Sequence, residues 1–241
     1  MLFFSISMQT IGQKTYVVSV GVGYNRDNIE NRPSCSYDAK GVAKFFRNYN
    51  GSEVFMLLDA NATRSHILRI LKEQFAKSSE ADEIIFFYSG HGFDGGVSTY
   101  NNNEVVWCSE VQDIMLKAKA RRKIMFVNAC HSGSFSKRVK DSKSRRRGYN
   151  KKSKVMLFLS SRNNEYSYSS MSDKEYSVFV GFLLDGLKGE ADKNSDKKIT
   201  ARELFNYTAS STTKYSESFG GVQHPVMYGK FPDDMVVVYT P

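Results

Sequence analysis

Cysteine is scarce in this sequence: Cys35, Cys108 and Cys130 are the only three among 241 residues, and no C-x-x-C spacing occurs. An odd count leaves at least one thiol free and argues against a disulfide framework. The missing ligand spacing argues against a zinc site. Proline is sparse as well, at four, and 17 glycines follow no period, so neither a collagen-like nor a low-complexity chain is indicated. No apolar run is long enough to span a bilayer, and no internal repeat appears. The chain is 41% hydrophobic and 13% aromatic. At this length that suffices for the core of one α/β domain.

Acidic residues are too few to balance the basic ones, and the net charge is +9. The imbalance is local. Residues 137–152 hold nine Lys or Arg against one acid, Asp141, whereas the remaining chain has 25 basic and 24 acidic residues. A basic run with little to bury reads as a solvated loop, here set at 136–153. A nucleic-acid groove would spread its cations over a folded face among aromatics, so no nucleic-acid partner is expected. Residues 1–13 resemble the tail of an export signal but lack a positive start, so cytoplasmic and exported locations both stay open. The domain is placed at 14–241.

Apolar β-branched runs predict strands at 15–22, 53–58, 82–88, 123–127 and 155–159. Helical stripes fall at 37–49, 64–76, 110–119, 176–188 and 201–208, and a Gly/Asn-rich hairpin at 93–106. Strands alternating with helices imply a three-layer α/β sandwich, with a mostly parallel sheet of about six strands flanked by helices. Function in such sheets gathers at the carboxyl ends of the strands.

Two motifs fall at such ends. Ser89-Gly90-His91-Gly92 follows one buried strand and Asn128-Ala129-Cys130-His131-Ser132-Gly133 follows another. Glycine at these turns permits unusual backbone angles and close approach of a substrate. An imidazole near a thiol gives the base that nucleophilic attack requires. The amides of Gly92 and Cys130 are candidates for an oxyanion hole. Taken alone, such a cysteine is usually a small core residue and such a histidine a satisfied surface group; two Gly-flanked strand-end turns together favour a dyad. His131 is a poor rival base because it neighbours the cysteine; His66 lies on a helix and His224 in a loop.

YSGHG and NACHSG resemble the catalytic motifs of the caspase-like peptidases, the bacterial metacaspase-like branch in particular. The resemblance extends through VVSVGVGYN, CSYDAKGVAKFF, LSSR and FLLDGLKGEADKNSDKKITARELF, nearly the whole chain. It implies the caspase-like fold and a cysteine endopeptidase acting on peptides or proteins, with His91 as base and Cys130 as nucleophile. It also implies a P1 pocket for Arg or Lys built from Cys35, Asp38, Ser89 and Asn128. The branch usually has Asp where this chain has Asn128. Caspases proper accept Asp through arginines, and Arg32 and Arg162 stand where those fall. The basic loop is often cut by the enzyme itself in this fold, which predicts self-processing between Lys137 and Lys152.

Asp192, Asn194, Asp196, Thr200 and Glu203, with the Lys198 carbonyl, imitate a calcium-binding loop, but Lys197 replaces the glycine of the sharp turn. Thr200 and Glu203 also form a helix capping box. The chemistry requires no cofactor, and calcium stays open. Two rivals remain: an inactive pseudoprotease acting as a binding module, and a nucleotide-binding protein prompted by Gly21-Val22-Gly23, which lacks the third glycine of that fingerprint. Nothing indicates an oligomeric state.

Overall fold

The computed structural model describes residues 12–27, 31–93, 95–101, 103–130, 154–169 and 176–241. In chain order the elements are β1 (Thr15–Gly21), α1 (Pro33–Arg47), β2 (Ser52–Leu58), α2 (Arg64–Phe75) and β3 (Glu83–Ser89). Next come β4 (Gly92–Phe93), β5 (Gly96–Ser98), β6 (Val105–Trp107), α3 (Cys108–Lys117), β7 (Arg122–Asn128) and β8 (Met156–Leu159). The last are α4 (Val178–Asp185), β9 (Lys198–Thr200), α5 (Ala201–Glu217), β10 (Val226–Tyr228) and β11 (Val236–Tyr239).

The central sheet has six strands in the order β10-β8-β7-β3-β1-β2. All neighbours are parallel except β10, which runs antiparallel to β8. Burial on both faces explains why β1, β3, β7 and β8 read as continuous apolar runs. Alternate residues serve opposite layers. Val18, Val20, Ile84, Phe86, Met125 and Val127 pack with α2 and α3. Val17, Ile85, Phe87, Ile124 and Phe126 pack with α1, α4 and α5. This is the three-layer sandwich the alternation of elements implies. Gly21 lets α1 lie close to β1: a Cβ there would sit 2.7 Å from the Cys35 carbonyl oxygen. Gly21-Val22-Gly23 is therefore a helix-packing device.

Several elements differ from the sequence reading, three of them notably. Helix α1 begins at Pro33, not at 37, because proline at the first turn has its φ already set. Helix α5 runs to Glu217, because its polar second half still buries Thr208, Thr212 and Ser216. The hairpin is a three-stranded antiparallel sheet, β4-β5-β6. Residues 1–11 of the leader, His131 and the basic loop 136–153 lie outside the described residues. No helix among the described residues is long and apolar enough to cross a membrane.

At the opposite edge of the sheet from both motifs, Glu83 is 1% exposed and accepts a hydrogen bond from Arg122 Nε at 3.0 Å. Burial outweighs the guanidinium and pushes the Glu83 carboxyl up from 4.5 to about 7. The native state thus holds this proton more tightly than the unfolded chain, and stability falls as pH rises from about 4.5 to about 7. Glu83→Gln is expected to gain about 2–3 kcal/mol over wild type at pH 8 and little at pH 4. Urea unfolding of both proteins at the two pH values checks this.

Candidate active site

Strands β3 and β7 are parallel neighbours, with Ser89 opposite Asn128 in register. The ladder continues one step beyond them, since Gly90 N donates to Asn128 O at 3.1 Å. The chain then leaves β3 through Gly90-His91-Gly92 and β7 through Ala129-Cys130, so the two predicted turns leave the same sheet edge side by side. Gly92 packs directly on the cysteine turn: a Cβ there would lie 2.5 Å from the Cys130 carbonyl oxygen and 3.0 Å from Ala129 Cβ. Any larger residue would push the turns apart.

Each turn is anchored. The His91 carbonyl accepts from Tyr88 Oη at 3.1 Å and from Ser98 N at 3.0 Å. The Ala129 carbonyl accepts from Ser167 Oγ at 3.1 Å, Ser160 Oγ at 3.3 Å and Ser161 Oγ at 3.4 Å, while Ala129 N donates to Ser160 Oγ at 3.1 Å. These three serines follow β8, and the sequence reading assigned them no role. Gln223 ties the same segment down, accepting from Tyr168 N at 3.1 Å and donating to Ser160 O at 3.0 Å.

The Cys130 sulfur accepts a hydrogen bond from Arg32 Nη1 at 3.1 Å. Arg32 is held at the start of α1, its N–H donating to Gly23 O at 2.7 Å. Among the described residues no cation donates a hydrogen bond to the other two sulfurs, although Arg32 also acts on Cys35 through space. Burial pushes Cys35 up to about 12 and raises Cys108 further still, so both stay neutral. His66 Nδ1 contacts Asn61 O at 2.9 Å and His224 Nδ1 contacts Glu165 Oε1 at 2.8 Å.

Beside Cys130 a narrow cleft is bounded by Arg32, Cys35, Gly90, Asn128, Tyr168 and Ser177, among others, with about 10 Å³ of free space. That holds one water at most. Asp38 lies beneath it, fully buried. Its Oδ2 accepts from Ser89 Oγ at 2.7 Å, Ser177 Oγ at 2.8 Å and Asn128 Nδ2 at 3.0 Å; its Oδ1 accepts from Ser177 N at 2.8 Å. Burial outweighs these four bonds and raises the carboxyl from 3.8 to about 6. Cys35, Asp38, Ser89 and Asn128, separated widely in sequence, are thus gathered with Cys130, and Ser177 joins them. Arg162 is not in the cleft; its guanidinium lies 3.9 Å from Glu165. A larger cavity of about 860 Å³ between α1 and α4 contains none of these residues.

The loop from Asp192 to Glu203 turns its oxygens onto its own backbone. Asp192 accepts from Asp196 N and Lys197 N, Asn194 from Asp196 N, and Asp196 from Lys198 N. Lys197 adopts φ +64° at the position where glycine was expected. Thr200 and Glu203 form the reciprocal capping box of α5. Among the described residues no group of three or more His, Cys, Asp or Glu is arranged to hold a metal ion.

A parallel sheet between two helical layers, presenting a histidine turn and a cysteine turn on adjacent strands, is the arrangement of a caspase-like cysteine peptidase. The chain belongs to the caspase domain family, which its sequence matches over residues 11–236. That family makes it a peptidase-type hydrolase with peptide or protein substrates. Protein GSU0716 from Geobacter sulfurreducens, a solved structure, is similar in fold: TM-score 0.62 and 15% identity, over 91% of this chain and 95% of that one. No curated protein matches.

Proposed function

We propose that the protein is a cysteine endopeptidase that cleaves after Arg or Lys. In the first half-reaction the Cys130 sulfur bonds to the scissile carbonyl carbon. The C–N bond breaks as His91 passes a proton to the leaving amine. In the second half, water activated by His91 attacks the thioester and restores the thiol. The Gly92 and Cys130 amides serve the oxyanion. No step needs a cofactor. The observation that carries the reading is the contact of Gly92 with the Cys130 carbonyl, which supports a shared site for the two turns.

Basic P1 specificity is supported by the buried Asp38 carboxyl behind the cleft and by the Asn128 carbonyl oxygen, which has no hydrogen-bond partner among the described residues. A second reading, cleavage after Asp, draws on Arg32, the one charged side chain among the described residues lining the cleft; the position of Arg162 against Glu165 speaks against it. Hydrolysis of matched fluorogenic peptides ending in Arg, Lys or Asp separates the readings. Cleavage after Arg or Lys is expected. Cleavage after Asp alone would transfer specificity to Arg32, and no cleavage under reducing conditions, with or without calcium, would favour a binding module.

Self-processing in the basic loop belongs to the same proposal, since that segment is rich in the residues the pocket would accept. Purified wild type is expected to give two fragments and Cys130→Ala a single band. Equal cleavage of both would identify a contaminating protease.

A further inference from the structure

We infer that Asn128 makes the P1 pocket selective for arginine over lysine. The inference rests on the basic-P1 reading above and deepens it.

Asn128 closes β7 two residues before Cys130 and is 4% exposed. Its Nδ2 lies 3.0 Å from Asp38 Oδ2, 3.1 Å from Ser89 Oγ and 2.8 Å from Ser177 Oγ. An ionised Asp38 only accepts, so the nitrogen end of the amide must face it. The oxygen end, Oδ1, is buried and has no hydrogen-bond partner among the described residues. A buried carbonyl oxygen without a donor is costly and uncommon. One retained in the lining of the cleft beside the nucleophile is suited to an N–H that arrives with the substrate.

Asp38 contributes the second acceptor. Among the described residues its Oδ1 accepts only from Ser177 N, at 2.8 Å, and has capacity for one more bond. A guanidinium would meet the neutral acceptor Asn128 in the cleft lining and, behind it, the buried anionic Asp38. Its planar fork presents several N–H groups at fixed angles, and its spread charge is weakly hydrated. A lysine ammonium is a compact, strongly hydrated charge and needs concentrated negative charge to leave water. Here one carboxylate is already shared among four donors, and position 128 adds an amide dipole in place of a second carboxylate. Hydrogen-bond geometry is preserved while net charge is halved, which penalises lysine more than arginine.

The test uses the full chain and two fluorogenic peptides that differ only in Arg or Lys at P1. The ratio of their kcat/KM values is independent of the active fraction, so a partly unfolded variant still reports. Wild type is expected to prefer Arg roughly tenfold or more. In Asn128→Asp the preference should fall several-fold, through a gain on Lys. A wild-type ratio near one overturns the inference whatever the variant does, and so does an unchanged ratio in Asn128→Asp. Cleavage after Asp with neither Arg nor Lys accepted would remove the basic-P1 reading itself, which is a different failure.

Discussion

Replacing Cys130 by alanine will abolish peptide hydrolysis, with a loss on the order of 10⁴–10⁶-fold in kcat. No other thiol can substitute. Cys35 and Cys108 are buried and held neutral by that burial, and a neutral thiol is a poor nucleophile. The variant should remain folded. Its side chain gives up little more than the Arg32 contact at 3.1 Å, while Ala129 keeps its serine bonds. His91→Ala should cost less, roughly 10²–10⁴-fold, the usual contribution of a general base. Steady-state kinetics beside matched circular dichroism spectra check both. Equal activity in Cys130→Ala would place the nucleophile elsewhere.

The second large effect concerns Asp38. Its alanine variant would strand four donors in the interior: Ser89 Oγ, Asn128 Nδ2 and both Ser177 groups. At about 1–3 kcal/mol for each unsatisfied group, the sum approaches the whole stability of a domain. Asp38→Asn is the better probe because it keeps the shape and removes the charge. Hydrolysis after Arg should then fall roughly 10–100-fold, the scale of a charge-assisted hydrogen bond.

The pH profile carries an independent sign. With the Asp38 carboxyl raised to about 6, kcat/KM for Arg substrates should rise as pH passes from 5 to 7 and the carboxylate forms. The same ionisation lowers native stability between pH 3.8 and about 6, because the native state binds that proton more tightly. Asp38→Asn should flatten both trends together. Unchanged Arg hydrolysis in Asp38→Asn would sink the pocket assignment.

Much of this fold was legible because parallel strands buried on both faces read as unbroken apolar runs, and β1, β3, β7 and β8 all do; β2, at the sheet edge, is half-buried but still apolar enough to be read. Strands β9, β10 and β11 were not. Each has three or four residues and pairs antiparallel with a distant segment, so local pattern gives little signal. At the site, glycines marked the two turns, and Gly92 proves to be the residue on which their contact depends. The serines that hold the site carried no mark. Ser177 lies 139 positions from Asp38, and a serine beside a helix start is ordinarily read as a cap. The sequence marks Arg32 only as a partner for an acidic substrate residue, whereas its guanidinium meets the Cys130 sulfur. Contacts of that kind arise from tertiary placement and leave no local periodicity.

The most direct test of the dyad is covalent labelling with a peptidyl acyloxymethyl ketone ending in Arg, located by mass spectrometry. The account predicts a single adduct on Cys130, formed slowly in His91→Ala, with Cys35 and Cys108 unmodified in the folded protein. An adduct on Cys35, or labelling of Cys130 at the same rate without His91, would contradict it.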